Sequence, residues 1–177
     1  MKPFLLGVIT TLAVLGAGTL LYLRLGLAEV RADIPPPQWE TALLSTAVHA
    51  SVRREAPELR NPVEPTDQNL IAGGKMYLDE CAGCHGTPGK PGNISDSLYP
   101  LIPQLPMVGT EYTEAQIFWI AKHGVRRAGM FANGKWDSDQ KLWTIAAYIK
   151  RMNALSPGVK EGLQPPKPES KDSGKQR

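Results

Sequence analysis

The chain is short of the residues that build most metal and redox centres. Of 177 residues only two are cysteines, Cys81 and Cys84, and only three are histidines, His49, His85 and His123. A Cys/Cys/His/His zinc site needs a second, closely spaced pair of ligands, and His49 and His123 do not supply one. Net charge is scarce as well: a formal value of +3 is too small to point to a nucleic-acid partner. From Phe4 to Leu23 charge is missing altogether. With 42% hydrophobic residues, the remainder suits one modest domain plus appendages.

What is present is concentrated. Both cysteines fall in Cys81-Ala82-Gly83-Cys84-His85, the attachment sequence of a covalently bound c-type haem. Residues three apart on a helix share a face, so two thiols at this spacing can meet the two vinyl groups of one porphyrin, and His85 follows where an imidazole reaches the iron. A Cys-x-x-Cys redox dithiol has the same cysteine spacing but has no need of His85.

The uncharged run from Phe4 to Leu23 would cover about 30 Å as a helix, the hydrocarbon thickness of a bilayer. It reads as a retained anchor within residues 1–33, because it is longer than a usual signal core and is followed by Arg24 and Arg31; Gly26-Leu27-Ala28 offers the competing cleavage site of a signal peptide. Lys2 against Arg24 gives no orientation. Haem c is attached outside the bacterial cytoplasmic membrane, so the bulk of the chain is expected on the periplasmic side.

Ile34-Pro35-Pro36-Pro37 is a stiff spacer that opens a segment reaching to residue 65. Within it, Trp39, Leu43 and Ala47, and Leu44, Val48 and Val52, recur in steps of four and predict an amphipathic helix from Trp39 to Glu55. That helix packs on its own domain or docks to a partner subunit, and His49 within it reads as a partly exposed helix residue and not as a ligand. Pro57, Pro62 and Pro65 mark an extended strap. Thr66 caps a helix with Asp67 in its first turn that runs through Leu70, Gly73 and Tyr77 to Cys81. Thr113-Glu114-Ala115-Gln116 is a capping box, Gly124 is available to end its helix, and a last helix starts at Asp137 or Ser138. Ser156-Pro157-Gly158 stops that helix and opens a charged, proline-rich tail over residues 157–177, which has too little apolar content to fold alone.

Gly73, Tyr77 and Cys81 share one helix face, and here the chain resembles the class I c-type cytochromes, from about Asn69 to Met152 and most closely their compact bacterial branch. The resemblance implies an all-α haem domain over residues 66–156. Gly73 would admit the C-terminal helix Leu142–Ile149, with Tyr77 and Tyr148 meeting at the crossing. It further implies one haem c on Cys81 and Cys84, with His85 and Met130 on the iron. Met107, in a proline-rich loop, and His123 compete with Met130; Met76 and Met152 lie on the flanking helices. Phe131 stands where many relatives have proline. A proline carbonyl is expected to orient His85, with Pro100 the first candidate and Pro103 the second. Trp119 and Trp136 either wall the haem or pack in the core.

The implied activity is single-electron transfer between respiratory-type redox partners, without catalysis of its own. A cytochrome subunit of a larger membrane dehydrogenase or oxidase complex is the alternative, and a five-coordinate haem enzyme or gas sensor a more distant one. Charges are segregated within the haem domain: Asp79, Glu80, Glu111 and Glu114 come early, whereas Lys122, Arg126, Arg127 and Lys135 surround the methionine loop.

Overall fold

The computed structural model describes residues 1–164; the final segment of the tail, 165–177, lies outside the described residues. Contacts divide the chain into two units, Met1–Ile34 and a larger one from Pro35 onward. Among the described residues every regular element is helical.

In the first unit, helix α1 (Lys2–Arg24) buries none of its side chains and is long and apolar enough to cross a membrane. Thr11 and Thr19 donate their hydroxyls to the carbonyls of Gly7 and Leu15, each at 2.9 Å, so these two polar side chains are satisfied within the helix.

The second unit opens with α2 (Gln38–Glu55), entered directly from Pro37 and carrying Arg53 and Arg54 in its last turn. Val52 is its one buried residue; Val48 is half-buried, while Trp39, Leu43 and Leu44 are exposed. The C-terminal half of α2 therefore packs on its own domain, and the N-terminal half leaves apolar surface open.

The core is a crossing of α3 (Asp67–Glu80) and α7 (Asp139–Arg151), with α6 (Glu114–His123) laid against α7. Each start has its own cap: Thr66 accepts from Asn69 N, Ser138 accepts from Lys141 N, and Thr113 and Gln116 form the reciprocal capping box. Gly124, at φ 67°, ends α6 as its left-handed conformation requires. At the crossing a Cβ on Gly73 would run into the Thr144 carbonyl oxygen and lie 3.0 Å from Tyr148 Cβ. Tyr77 and Tyr148 meet there with ring centroids 5.5 Å apart. Eight consecutive residues of α7, Leu142 to Ile149, are buried. Trp143 stacks on Phe118 at 4.1 Å, a pairing that contributes about 0.5–1.5 kcal/mol beyond the area it buries.

Asn61 pins the strap between α2 and α3 to the core. Asn61 donates to Glu114 and to the Trp143 carbonyl (3.0 Å), and accepts from Val63 N (2.9 Å). Arg151 neutralises the same Glu114 at 2.7 Å.

The expected tail differs at its start. Ser156 caps a further helix, α8 (Pro157–Gly162), by accepting from Val159 N, and the helix packs on α3. Val159 is fully buried with Leu70 and Ala147, and half-buried Leu163 joins them. Two apolar residues four apart suffice because a preformed surface receives them.

Candidate functional site

Helix α3 ends at Cys81, and a single turn, α4 (Ala82–His85), follows at once. The Cys81 carbonyl accepts from both Cys84 N (3.1 Å) and His85 N (2.8 Å), which gathers the two thiols and the imidazole into one turn. Gly86 closes it at φ 80°, and its carbonyl receives the Tyr77 hydroxyl at 2.8 Å.

The following loop folds back over this turn. Asn93 N donates to the Gly83 carbonyl at 2.9 Å, and Gly92 passes so close to the Cys84 carbonyl that no Cβ would fit. Gln104 is the clasp: its amide nitrogen donates to the carbonyls of Cys84 (3.2 Å) and Ile102 (2.9 Å), while its oxygen accepts from Gly92 N (2.7 Å).

The loop delivers the Pro103 carbonyl to His85 Nδ1 at 2.9 Å. A carbonyl only accepts, so Nδ1 carries the proton and Nε2 is left with a lone pair for a metal. Pro103 holds this place and Pro100 does not, a correction to the order of the two candidates. Pro100 instead follows a cis peptide after Tyr99. Burial lowers the His85 pKa, with the Pro103 hydrogen bond opposing it in part, so the ring is held neutral, the form that binds iron.

Cys81 is tuned against dithiol chemistry. Burial first, then the nearby charges of Glu80 and Asp137, push its thiol up to about 12, with Lys141 only partly compensating. A redox-active Cys-x-x-Cys requires a lowered thiol pKa, so the environment is the wrong one for thiol–disulfide exchange. Among the described residues no group of three or more His, Cys, Asp and Glu side chains is arranged to hold a metal ion.

Met130 sits on a separate tight turn. Val125 N donates to the Met130 carbonyl at 3.0 Å, Arg127 (φ 63°) and Gly129 (φ 72°) make the reversal, and Gly124 clears space beneath Met130 and Phe131 that a Cβ would block. Gly129 lies against Leu98, so this turn meets the loop that wraps the His85 turn. Asn133, in a short 3₁₀ turn, ties the segment to α6 through the Ala121 carbonyl at 2.9 Å. Met107 lies on α5 (Leu105–Val108), immediately after the loop that holds His85 Nδ1. Met152 is buried at the end of α7. His123 is exposed beside Trp119, His49 is hydrogen-bonded to the Tyr112 hydroxyl at 2.6 Å, and exposed Trp136 meets Phe131 edge-on at 5.7 Å.

Residues 68–149 match the family described as cytochrome C oxidase, cbb3-type, subunit III. This domain is a class I c-type cytochrome. No curated protein and no solved structure matches the chain.

The donor set of the cytochrome domain fits haem c: two thiols one helical turn apart, followed by a neutral imidazole with its outer nitrogen already bonded. Haem c supplies an iron that gains and loses one electron, which makes electron transfer the chemistry of the domain. Sequence reasoning did not find Gln104 or Asn61. Neither carries a decisive local signal: each makes one bond two residues away, but the partners that give it its role lie 12 to 82 residues away.

Proposed function

We propose that the chain is a membrane-anchored carrier of single electrons, with one haem c bound through Cys81 and Cys84 and its iron held between His85 and Met130. Helix α1 anchors it in the bacterial cytoplasmic membrane, and the cytochrome domain works on the periplasmic side. The observation that carries the reading is the His85 ring, half-buried, neutral and oriented by Pro103, beside the only two cysteines of the sequence.

The residues divide the work. Cys81 and Cys84 form the covalent tether, His85 gives a nitrogen ligand fixed in one tautomer, and Met130 gives a thioether that favours the reduced iron and raises the potential. Met107 is the weaker candidate because it follows, within four residues, the carbonyl bound to the far side of the imidazole. Two protein ligands leave no coordination position for a substrate, so the carrier is not itself an enzyme.

The family match favours a second reading, in which the chain is the cytochrome subunit of an oxidase-type membrane complex and passes electrons inside it. Purification in mild detergent separates the two: a carrier migrates alone, a subunit brings partner chains with it. The test of the haem assignment is expression with haem-ligation machinery. Wild type is expected to give the two-thioether spectrum and to ignore carbon monoxide when reduced. Cys81→Ala and Cys84→Ala are each expected to lose that spectrum; if both kept it, the assignment would be wrong.

A further inference from the structure

The unexplained surface of the cytochrome unit is α2. At 100° per residue, Trp39, Leu43, Ala47 and Ala50 fall within about 80° of arc, and Val48 and Val52, which face the domain, fall on the opposite side. Trp39 is 68% exposed and Leu43 63%, and the stripe carries no charge before Arg53 and Arg54 close the helix. Arg54 pairs with exposed Glu55, a contact that leaves it available to other anions.

We propose that this stripe of α2 lies on the membrane surface, with Trp39 and Leu43 seated among the lipid headgroups and the Val48–Val52 edge carrying the cytochrome domain. The proposal rests on the anchoring role of α1 given above. Only residues 25–37 separate α1 from α2, a link that spans at most about 45 Å even when fully extended. A lipid surface is therefore always within reach of α2, at a high effective concentration that a diffusing partner does not have. Tryptophan suits the interface, where an apolar ring body and an N–H are both satisfied, and the two arginines suit anionic headgroups.

Size argues against a protein occupant. An 18-residue helix offers a strip about 27 Å long and ~10 Å wide, near 270 Å², whereas a stable protein interface buries about 800 Å² on each partner. The functional consequence is orientation: a domain held by α2 presents a constant face to its redox partners and does not tumble on its tether.

Hydroxyl-radical footprinting of the full haem-loaded chain, in phosphatidylcholine vesicles containing phosphatidylglycerol, tests this. Leu59, on the strap, is 65% exposed and serves as the solvent reference for Trp39. After correction for intrinsic reactivity, Trp39 is expected to be several-fold more protected than Leu59. In the variant Leu43→Glu/Ala47→Glu that protection should disappear, with the haem spectrum unchanged.

Equal oxidation of Trp39 and Leu59 in vesicles would overturn the proposal. So would protection that grows with the protein-to-lipid ratio, since that is contact between copies of the chain, and so would protection that survives the double variant. Flotation of the chain with the vesicles reports on α1 separately, so loss of anchoring is distinguished from a free α2.

Discussion

Gly73 and Thr144 touch at a distance that no side chain would allow: a Cβ on Gly73 would occupy the place of the Thr144 carbonyl oxygen. Two helices of the cytochrome domain depend on this contact. Gly73→Ala gains about 1 kcal/mol of helix propensity in α3. Overpacking costs about 1–3 kcal/mol, and backbone against backbone cannot relax by a rotamer change, so the clash outweighs the gain. The expected result is net destabilisation and poorer haem loading, read as a lower denaturant midpoint at unchanged slope. A midpoint equal to or above wild type would mean that the helices can separate without loss.

Met130→Ala should abolish the sulfur-to-ferric-iron charge-transfer band and lower the reduction potential, because the thioether stabilises ferrous iron. Met107→Ala should leave both close to wild type. The opposite pattern would move the ligand to Met107.

In the folded, haem-free chain Cys81 should resist alkylation. With its pKa pushed up from 9.0 to about 12, the thiolate fraction below pH 9 is about 1,000-fold smaller than for a free thiol. The linked stability has a definite sign: it is fully present below pH 9, where both states are protonated, and is lost as pH rises from 9 towards 12, where the unfolded thiol ionises first. Rapid modification of Cys81 at pH 8, with far-ultraviolet dichroism intact, would contradict this environment.

The basic group near Met130 is smaller than its sequence suggests. Lys122 is paired with Asp139 at 2.7 Å, which leaves Arg126, Arg127 and Lys135 as the exposed cations there. Arg126→Glu/Lys135→Glu should slow electron transfer with an acidic partner several-fold at low salt and flatten the salt dependence, without altering the optical spectrum. Rates identical to wild type across the salt range would leave these residues as solvated surface only.

The parts of the structure legible in the sequence are those set by neighbours. Thr113 with Gln116, Gly124, Ser138 and the Cys81–His85 turn are each written within a few residues, and each forms as expected. What escaped depends on remote surfaces. Choosing Pro103 over Pro100 required the path of a loop that Gln104 holds across 12 and 20 residues. Residues 157–163, with a proline and two glycines, have the composition of a tail and become a helix because Leu70, Ala147 and Tyr148 already provide a place for Val159 and Leu163. The His49–Tyr112 pairing, 63 residues apart, had no local trace either.

Ser156 donates its hydroxyl to Asp67 at 3.2 Å, which brings the start of α8 beside the start of α3. The first turns of α3 and α8 thus share one corner of the cytochrome fold. A truncation that removes α8 would therefore take from α3 both this contact between the two helix starts and the cover that Val159 gives Leu70.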